Sequence, residues 1–93
     1  MAMVAEEFKF VIGVDTHAAS HTLAVIDAVS ARTLAQAEFP ATSAGIARAG
    51  AWAAHRTESP VGALVVVDGI GSFGSAVSRA FSTAGYRVVE VHP

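Results

Sequence analysis

Phe10-Val11-Ile12-Gly13-Val14-Asp15-Thr16-His17 is the stretch on which the reading of the fold turns. An apolar run climbs to a single carboxylate and stops. A run of this length, rich in Val and Ile and closed by a polar residue, reads as a buried strand. Asp15 then stands at the strand's carboxyl end, the edge of open α/β sheets where ligands and reactive groups gather. The pattern recurs once, at Ala63-Leu64-Val65-Val66-Val67-Asp68-Gly69. Two such strands side by side in a parallel sheet bring their carboxylates together at one edge.

The rest of the chain limits what surrounds that pair. Its 93 residues make a single small domain, taken here as residues 1–93. With 53% hydrophobic and 15% charged residues, it is more apolar than an ordinary soluble domain. So much apolar surface in a small domain leads us to expect a homo-oligomer or a covering partner segment. The net charge of −2 supplies no basic patch, which counts against strong DNA affinity by this stretch alone. The chain has no cysteine, hence neither a disulfide framework nor a thiolate metal site. Met1 to Lys9 carries Glu6, Glu7 and Lys9 and lacks the apolar centre of a signal peptide. No apolar run approaches the ~18 residues of a membrane span. The expectation is a cytoplasmic protein with no membrane partner.

Taken in order, residues 1–7 read as a lead-in and Phe8 to Asp15 as the first strand. His21 to Asp27 and Thr33 to Phe39 read as the second and third, with Pro40 ending the third because it cannot donate to a ladder. Connections this short imply hairpins, so these three are antiparallel neighbours. The period then changes. Thr42 or Ser43 is the expected N-cap of a helix from Ala44 to about Arg56, with Ile46, Ala49 and Ala53 on one face and Trp52 beside it. Val61 to Asp68 is the fourth strand, and its unbroken apolar character predicts cover on both faces. Gly69 to Gly74 turns into a second helix, with Ser72 as expected N-cap, Phe73, Val77, Ala80, Phe81 and Ala84 at helical spacing, and Gly85 at its C-terminal end. Tyr86 to Val91 is the fifth strand, parallel to the fourth.

The order is therefore β-β-β-α-β-α-β. It resembles the ribonuclease-H-like (RuvC-like) fold: α/β, with a mixed five-stranded sheet in spatial order 3-2-1-4-5, ending after strand five. That placement makes the first and fourth strands neighbours, with Asp15 and Asp68 at adjacent strand ends.

Two readings of the pair stand. Like charges held together are costly unless a cation neutralises them, and oxygen ligands without cysteine suit Mg²⁺ or Mn²⁺. Two such ions can activate a nucleophile and stabilise a leaving oxygen in phosphodiester chemistry. Alternatively, both residues simply begin turns at strand ends, a common place for Asp. His17, beside Asp15, could contact a phosphate or a metal-bound water, or be an ordinary turn histidine. His21 reads as structural. Gly69-Ile70-Gly71-Ser72-Phe73-Gly74 follows a strand and opens a helix, as phosphate-cradling loops do, so Gly71 and Ser72 are candidate phosphate or nucleic-acid contacts. Its glycines sit at the wrong offsets for a dinucleotide fingerprint, and no Lys completes a P-loop. A tight turn against the sheet also accounts for them. Trp52 and Phe81 read as packing residues.

These stretches resemble one known family. Gly13-Val14-Asp15-Thr16-His17-Ala18-Ala19-Ser20-His21 is similar to the opening motif of the DEDD-type insertion-sequence transposases, the IS-one-hundred-ten (Piv/MooV) group. Glu38 to Gly45 resembles the family's next segment, Val67 to Gly74 its second acidic motif, and Ala84 to Val91 the strand after it. The likeness runs over residues 10–93. It implies a RuvC-like nuclease domain at the amino end of an enzyme of DNA transposition and recombination. In that family four carboxylates hold divalent metal for DNA strand cleavage and transfer, a separate carboxy-terminal domain supplies a serine, and some members use a guide RNA. Asp15 maps to the first carboxylate and Asp68 to the second, where the family has Glu. Ala18 stands where a basic residue often follows the histidine. The third and fourth carboxylates would lie past Pro93. The resemblance thus implies two metal ligands of four, weak or no binding of Mg²⁺ or Mn²⁺, and no transposition by this chain alone. It would be an excised domain, a natural remnant, or a piece acting with another subunit.

Two other readings compete. One is a non-catalytic oligomerisation or nucleic-acid-binding module that keeps the fold without the chemistry. The other is half of an actin-like sugar-kinase ATPase domain. That fold expects a glycine-rich turn soon after the first Asp, and Thr16-His17-Ala18-Ala19 offers none.

Overall fold

The computed structural model describes residues 7–69 and 71–91. Strands β1 (Phe10–Thr16), β2 (Ser20–Asp27) and β3 (Thr33–Pro40) come first. Helix α1 (Ser43–Thr57), strand β4 (Ala63–Asp68), helix α2 (Ser75–Thr83) and strand β5 (Arg87–Val91) follow. The five strands form one sheet in the order β3-β2-β1-β4-β5. β1 pairs antiparallel with β2, and β2 with β3. β4 pairs parallel with β1 on one side and with β5 on the other. Element order, strand order and strand directions are those expected from the sequence.

Local chemistry sets the element ends. Thr42 caps α1: its Oγ1 accepts from the Gly45 amide at 3.0 Å, satisfying one orphan donor of the first turn. Gly45 is buried against the end of β3, where a Cβ would collide with the Pro40 carbonyl. Pro40 is itself the last residue of β3, paired with Ser20. β3 is an edge strand, so the missing N–H is tolerated there. Gly85, at φ 99°, occupies the left-handed position that follows α2.

Several strand ends shift by a residue or two, β1 running Phe10–Thr16 rather than Phe8 to Asp15 and β5 starting at Arg87 rather than Tyr86; two shifts have a local cause. β4 begins at Ala63 rather than Val61, because Pro60–Gly62 form a 3₁₀ turn whose Val61 amide donates to Ser59 Oγ at 3.3 Å. Helix α2 starts later than expected, with Gly74 rather than Ser72 at the N-cap position. Residues Gly71–Gly74 form a 3₁₀ turn, and Gly74 takes the N-cap position with no side-chain cap bond. Gly74 is packed so closely that a Cβ there would stand 3.0 Å from Val67 Cγ1. The approach to β4, not a capping hydroxyl, thus fixes where α2 starts. Ile70, the side chain of Ser72, and residues 1–6 and 92–93 lie outside the described residues.

Strand parity divides the sheet into two unlike faces. Ile12 and Val14 of β1, Leu23 of β2, and Ala63, Val65 and Val67 of β4 join one buried cluster with Ala49 and Ala53 of α1 and Val77 and Phe81 of α2. Both helices therefore cover the same face. The opposite parity carries Val11, Gly13 and Asp15 on β1 and Leu64, Val66 and Asp68 on β4, and no described helix packs over them. This corrects the expectation that β4 is covered on both faces. On this side Leu64 is buried, Val66 half-buried and Asp68 exposed. Phe81 and Trp52 pack as expected. Phe81 meets Tyr86 edge-on at 5.2 Å between centroids, and Trp52 meets Phe39 at 5.8 Å. Arg56 lies 4.6 Å over the Trp52 ring. Among the described residues, no helix is long and apolar enough to cross a membrane.

Candidate functional site

The parallel register of β1 and β4 runs from Phe10↔Ala63 to Asp15↔Asp68. Equal counts of residues from the start of that ladder deliver both carboxylates to its last rung. Neighbouring strands stand about 4.7–4.9 Å apart, so the two Asp residues are lateral neighbours. Their shared parity puts them on the face over which no described helix packs, and both are exposed. A shallow trough of about 430 Å³ on that face is lined by Gly13, Asp15, Thr22, Ala24, Val66 and Asp68. Gly13 and Ala24 are register partners, and their small side chains make the floor. A second recess, around the strand tips, is lined by the same two carboxylates with His17, Gly69 and Phe73.

His17 follows β1 into the connection, where its Nε2 stands 3.3 Å from Asp15 Oδ2. Both side chains are well exposed, 62% for His17 and 64% for Asp15, so this pair is solvent-screened and weak. His21 is different. It lies on the helix-covered face, opposite Thr16 on β1 and Phe39 on β3, and is 3% exposed. Burial, and secondarily the neighbouring His17, pushes its imidazole below the usual histidine range, against a smaller opposing effect of the Ser20 backbone. Its Nδ1 is buried without a hydrogen-bond partner among the described residues. The structural reading of His21 fits this position.

The chemistry of the donor set suits a hard divalent cation, since the two groups are carboxylate oxygens. The set is incomplete. Among the described residues no group of three His, Asp, Glu or Cys is placed to hold a metal ion. Glu38 shows why. It shares the cross-strand row Asp68–Asp15–Thr22–Glu38, but it stands two strand spacings from Asp15, about 9–10 Å. Its Oε2 is engaged by the Ser20 hydroxyl at 3.2 Å. Gly71 sits in the 3₁₀ turn that leads from this edge into α2.

Thr16 is an additional participant. It is 6% exposed, and its Oγ1 donates to the main-chain carbonyl of Asp68 at 3.1 Å. The only sign of it in the sequence is parity: next to outward Asp15, residue 16 must point toward the helices.

With this geometry in hand, the chain can be set beside known proteins. No protein-family model matches it, and no curated protein matches it. Among solved structures it is similar to "T. thermophilus RuvC in complex with Holliday junction substrate", at a TM-score of 0.59 and 19% sequence identity. The match covers 90% of this chain and 64% of that one, so the chain spans less than two thirds of the RuvC length. At this identity the likeness bears on architecture alone: the chain has a RuvC-like, ribonuclease-H-like fold.

Proposed function

We propose that this chain is the amino-terminal RuvC-like part of a DNA-processing enzyme, a single domain over residues 1–93 whose Asp15 and Asp68 contribute to a divalent-metal site. The observation that carries the reading is the Asp15↔Asp68 rung at the carboxyl ends of two adjacent parallel strands. The solved RuvC bound to a Holliday junction supports DNA as the partner class. The sequence resemblance narrows the reading to a DEDD-type insertion-sequence transposase acting in DNA transposition and recombination, with Mg²⁺ or Mn²⁺ as the metal. In such an element a guide RNA is a further candidate partner. His17 and the Gly71–Ser72 turn are the proposed phosphate contacts.

The two carboxylates do not make a complete metal site. On this reading the remaining donors come from outside the described residues, and cleavage needs them. The test is calorimetric titration with Mn²⁺ of the wild type and of Asp15→Ala. A weak binding heat that disappears in Asp15→Ala supports the reading. No heat in either favours the second reading, a non-catalytic binding or oligomerisation module on the same fold.

Self-association belongs to either reading. β5 is an edge strand with Val89 and Val91 each 41% exposed, and free edges pair readily with further strands. Light scattering during size-exclusion chromatography tests this; a monomer at tens of micromolar rules it out.

A further inference from the structure

We propose that Thr16 is a positioning residue: its hydroxyl latches the Asp68–Gly69 peptide to β1 and so keeps Asp68 level with Asp15. The β1–β4 ladder ends at the Asp15↔Asp68 rung. Strand ends fray when the ladder stops, and here it stops at the residues on which the candidate site depends. Thr16 adds one more bond past that point, 3.1 Å from its Oγ1 to the Asp68 carbonyl oxygen. Thr16 is 6% exposed and the bond is part-buried, and a buried hydroxyl without a partner is costly. The bond is thus strongly favoured for the Thr16 hydroxyl.

The loop beyond is shaped around this side chain. Gly69 passes so close that a Cβ there would collide with Thr16 Oγ1. Gly74, entering α2, would place a Cβ 3.8 Å from Thr16 Cγ2. Gly69 and Gly74, at the two ends of the connection, both lie near Thr16. This gives Gly69 a specific reason, room for the latch, while Gly74 chiefly makes room for Val67. The phosphate-loop reading does not require that room.

Hydroxyl and methyl make opposite predictions on substitution. Thr16→Val keeps the shape and deletes the bond. Thr16→Ser keeps the bond and deletes a methyl. A residue that merely fills space tolerates Val better than Ser, whereas a latch tolerates Ser better than Val. The inference rests on the metal reading only for its functional consequence, so the test has two separable arms.

The experiment uses the full chain, isotope-labelled, as wild type, Thr16→Ser, Thr16→Val and Gly69→Ala. The first arm reads the Asp68 carbonyl ¹³C shift and amide hydrogen exchange at Gly69, Phe73 and Gly74. Thr16→Val is expected to move the carbonyl signal upfield and to speed exchange about fivefold to tenfold, the change that loss of one ordinary hydrogen bond brings. Thr16→Ser is expected to stay near wild type. Gly69→Ala, which presses on the same hydroxyl, is expected to behave like Thr16→Val. Wild-type exchange in Thr16→Val, or equal damage in Thr16→Ser and Thr16→Val, overturns the proposal. The second arm follows paramagnetic broadening of the Asp15 and Asp68 amides by Mn²⁺. Broadening that needs more Mn²⁺ in Thr16→Val but not in Thr16→Ser ties the latch to the metal site. No broadening in wild type refutes the metal reading and leaves the first arm to decide the latch.

Discussion

Gly13→Ala should make this protein more stable, because no described helix packs over that side of the sheet. Gly13 lies in the interior of β1 with its missing side chain directed away from the helices, between Ala24 on β2 and Val66 on β4. A Cβ built there meets only Ile26 Cδ1, at 3.9 Å, an ordinary van der Waals contact. Glycine inside a strand costs roughly 0.5–1 kcal/mol relative to alanine through lost backbone entropy. The new methyl would also be partly buried, adding a fraction of the ~0.8 kcal/mol of a fully buried CH₂. The sum is a gain of about 1 kcal/mol, which for a domain of this size raises Tm by roughly 4–8 °C. Differential scanning calorimetry measures it. Gly50→Ala is the calibration: it is mid-helix, with nothing within 4 Å of the new Cβ, and should add about 1 kcal/mol from helix propensity alone. If Gly13→Ala lowers Tm while Gly50→Ala raises it, something occupies the sheet face in solution, and the open trough beside the carboxylates is refuted.

Three further outcomes follow from the same structure. Phe81→Ala removes a 2%-exposed ring from the junction of α2, Tyr86 and the sheet, and should cost about 3–5 kcal/mol in urea denaturation; a loss under 1 kcal/mol, on any scale a small one for a core ring, would mean the helix does not seat there. Thr42→Ala deletes the α1 cap and should cost about 1 kcal/mol, read as a shifted urea midpoint with unchanged slope. His21 sets a pH dependence. Its folded-state pKa lies below the ordinary 6.5, so the unfolded chain takes up the proton more readily. The stabilisation is complete above pH 6.5 and drains away as pH falls from there through the lowered folded value. Urea midpoints at pH 7.5, 6 and 5 should decline in wild type and decline less in His21→Leu; parallel slopes in the two proteins would show that His21 does not carry the effect.

Much of this architecture is local and therefore legible. Two apolar runs each closed by Asp, hairpin-length gaps, a hydroxyl at Thr42 and a glycine at residue 85 are short-range signals, because strand length, capping and left-handed backbone are decided by near neighbours. The start of β4 and the cap of α2 were not legible. Pro60–Gly62 and Gly71–Gly74 take 3₁₀ form, and α2 begins where Gly74 meets Val67. That contact joins two elements and leaves no mark on either alone.

The sequence by itself determined that two carboxylates end two strands, because alternation and chain direction fix a residue's place along its own strand. Only the tertiary structure decided which way they face and what steadies them. Register between β1 and β4 made Asp15 and Asp68 one rung, and helix packing chose the opposite face of the sheet as the covered one. The bond from Thr16 to the Asp68 carbonyl spans 52 residues. A contact at that separation exists only once the intervening chain has folded, so no local pattern can encode it legibly.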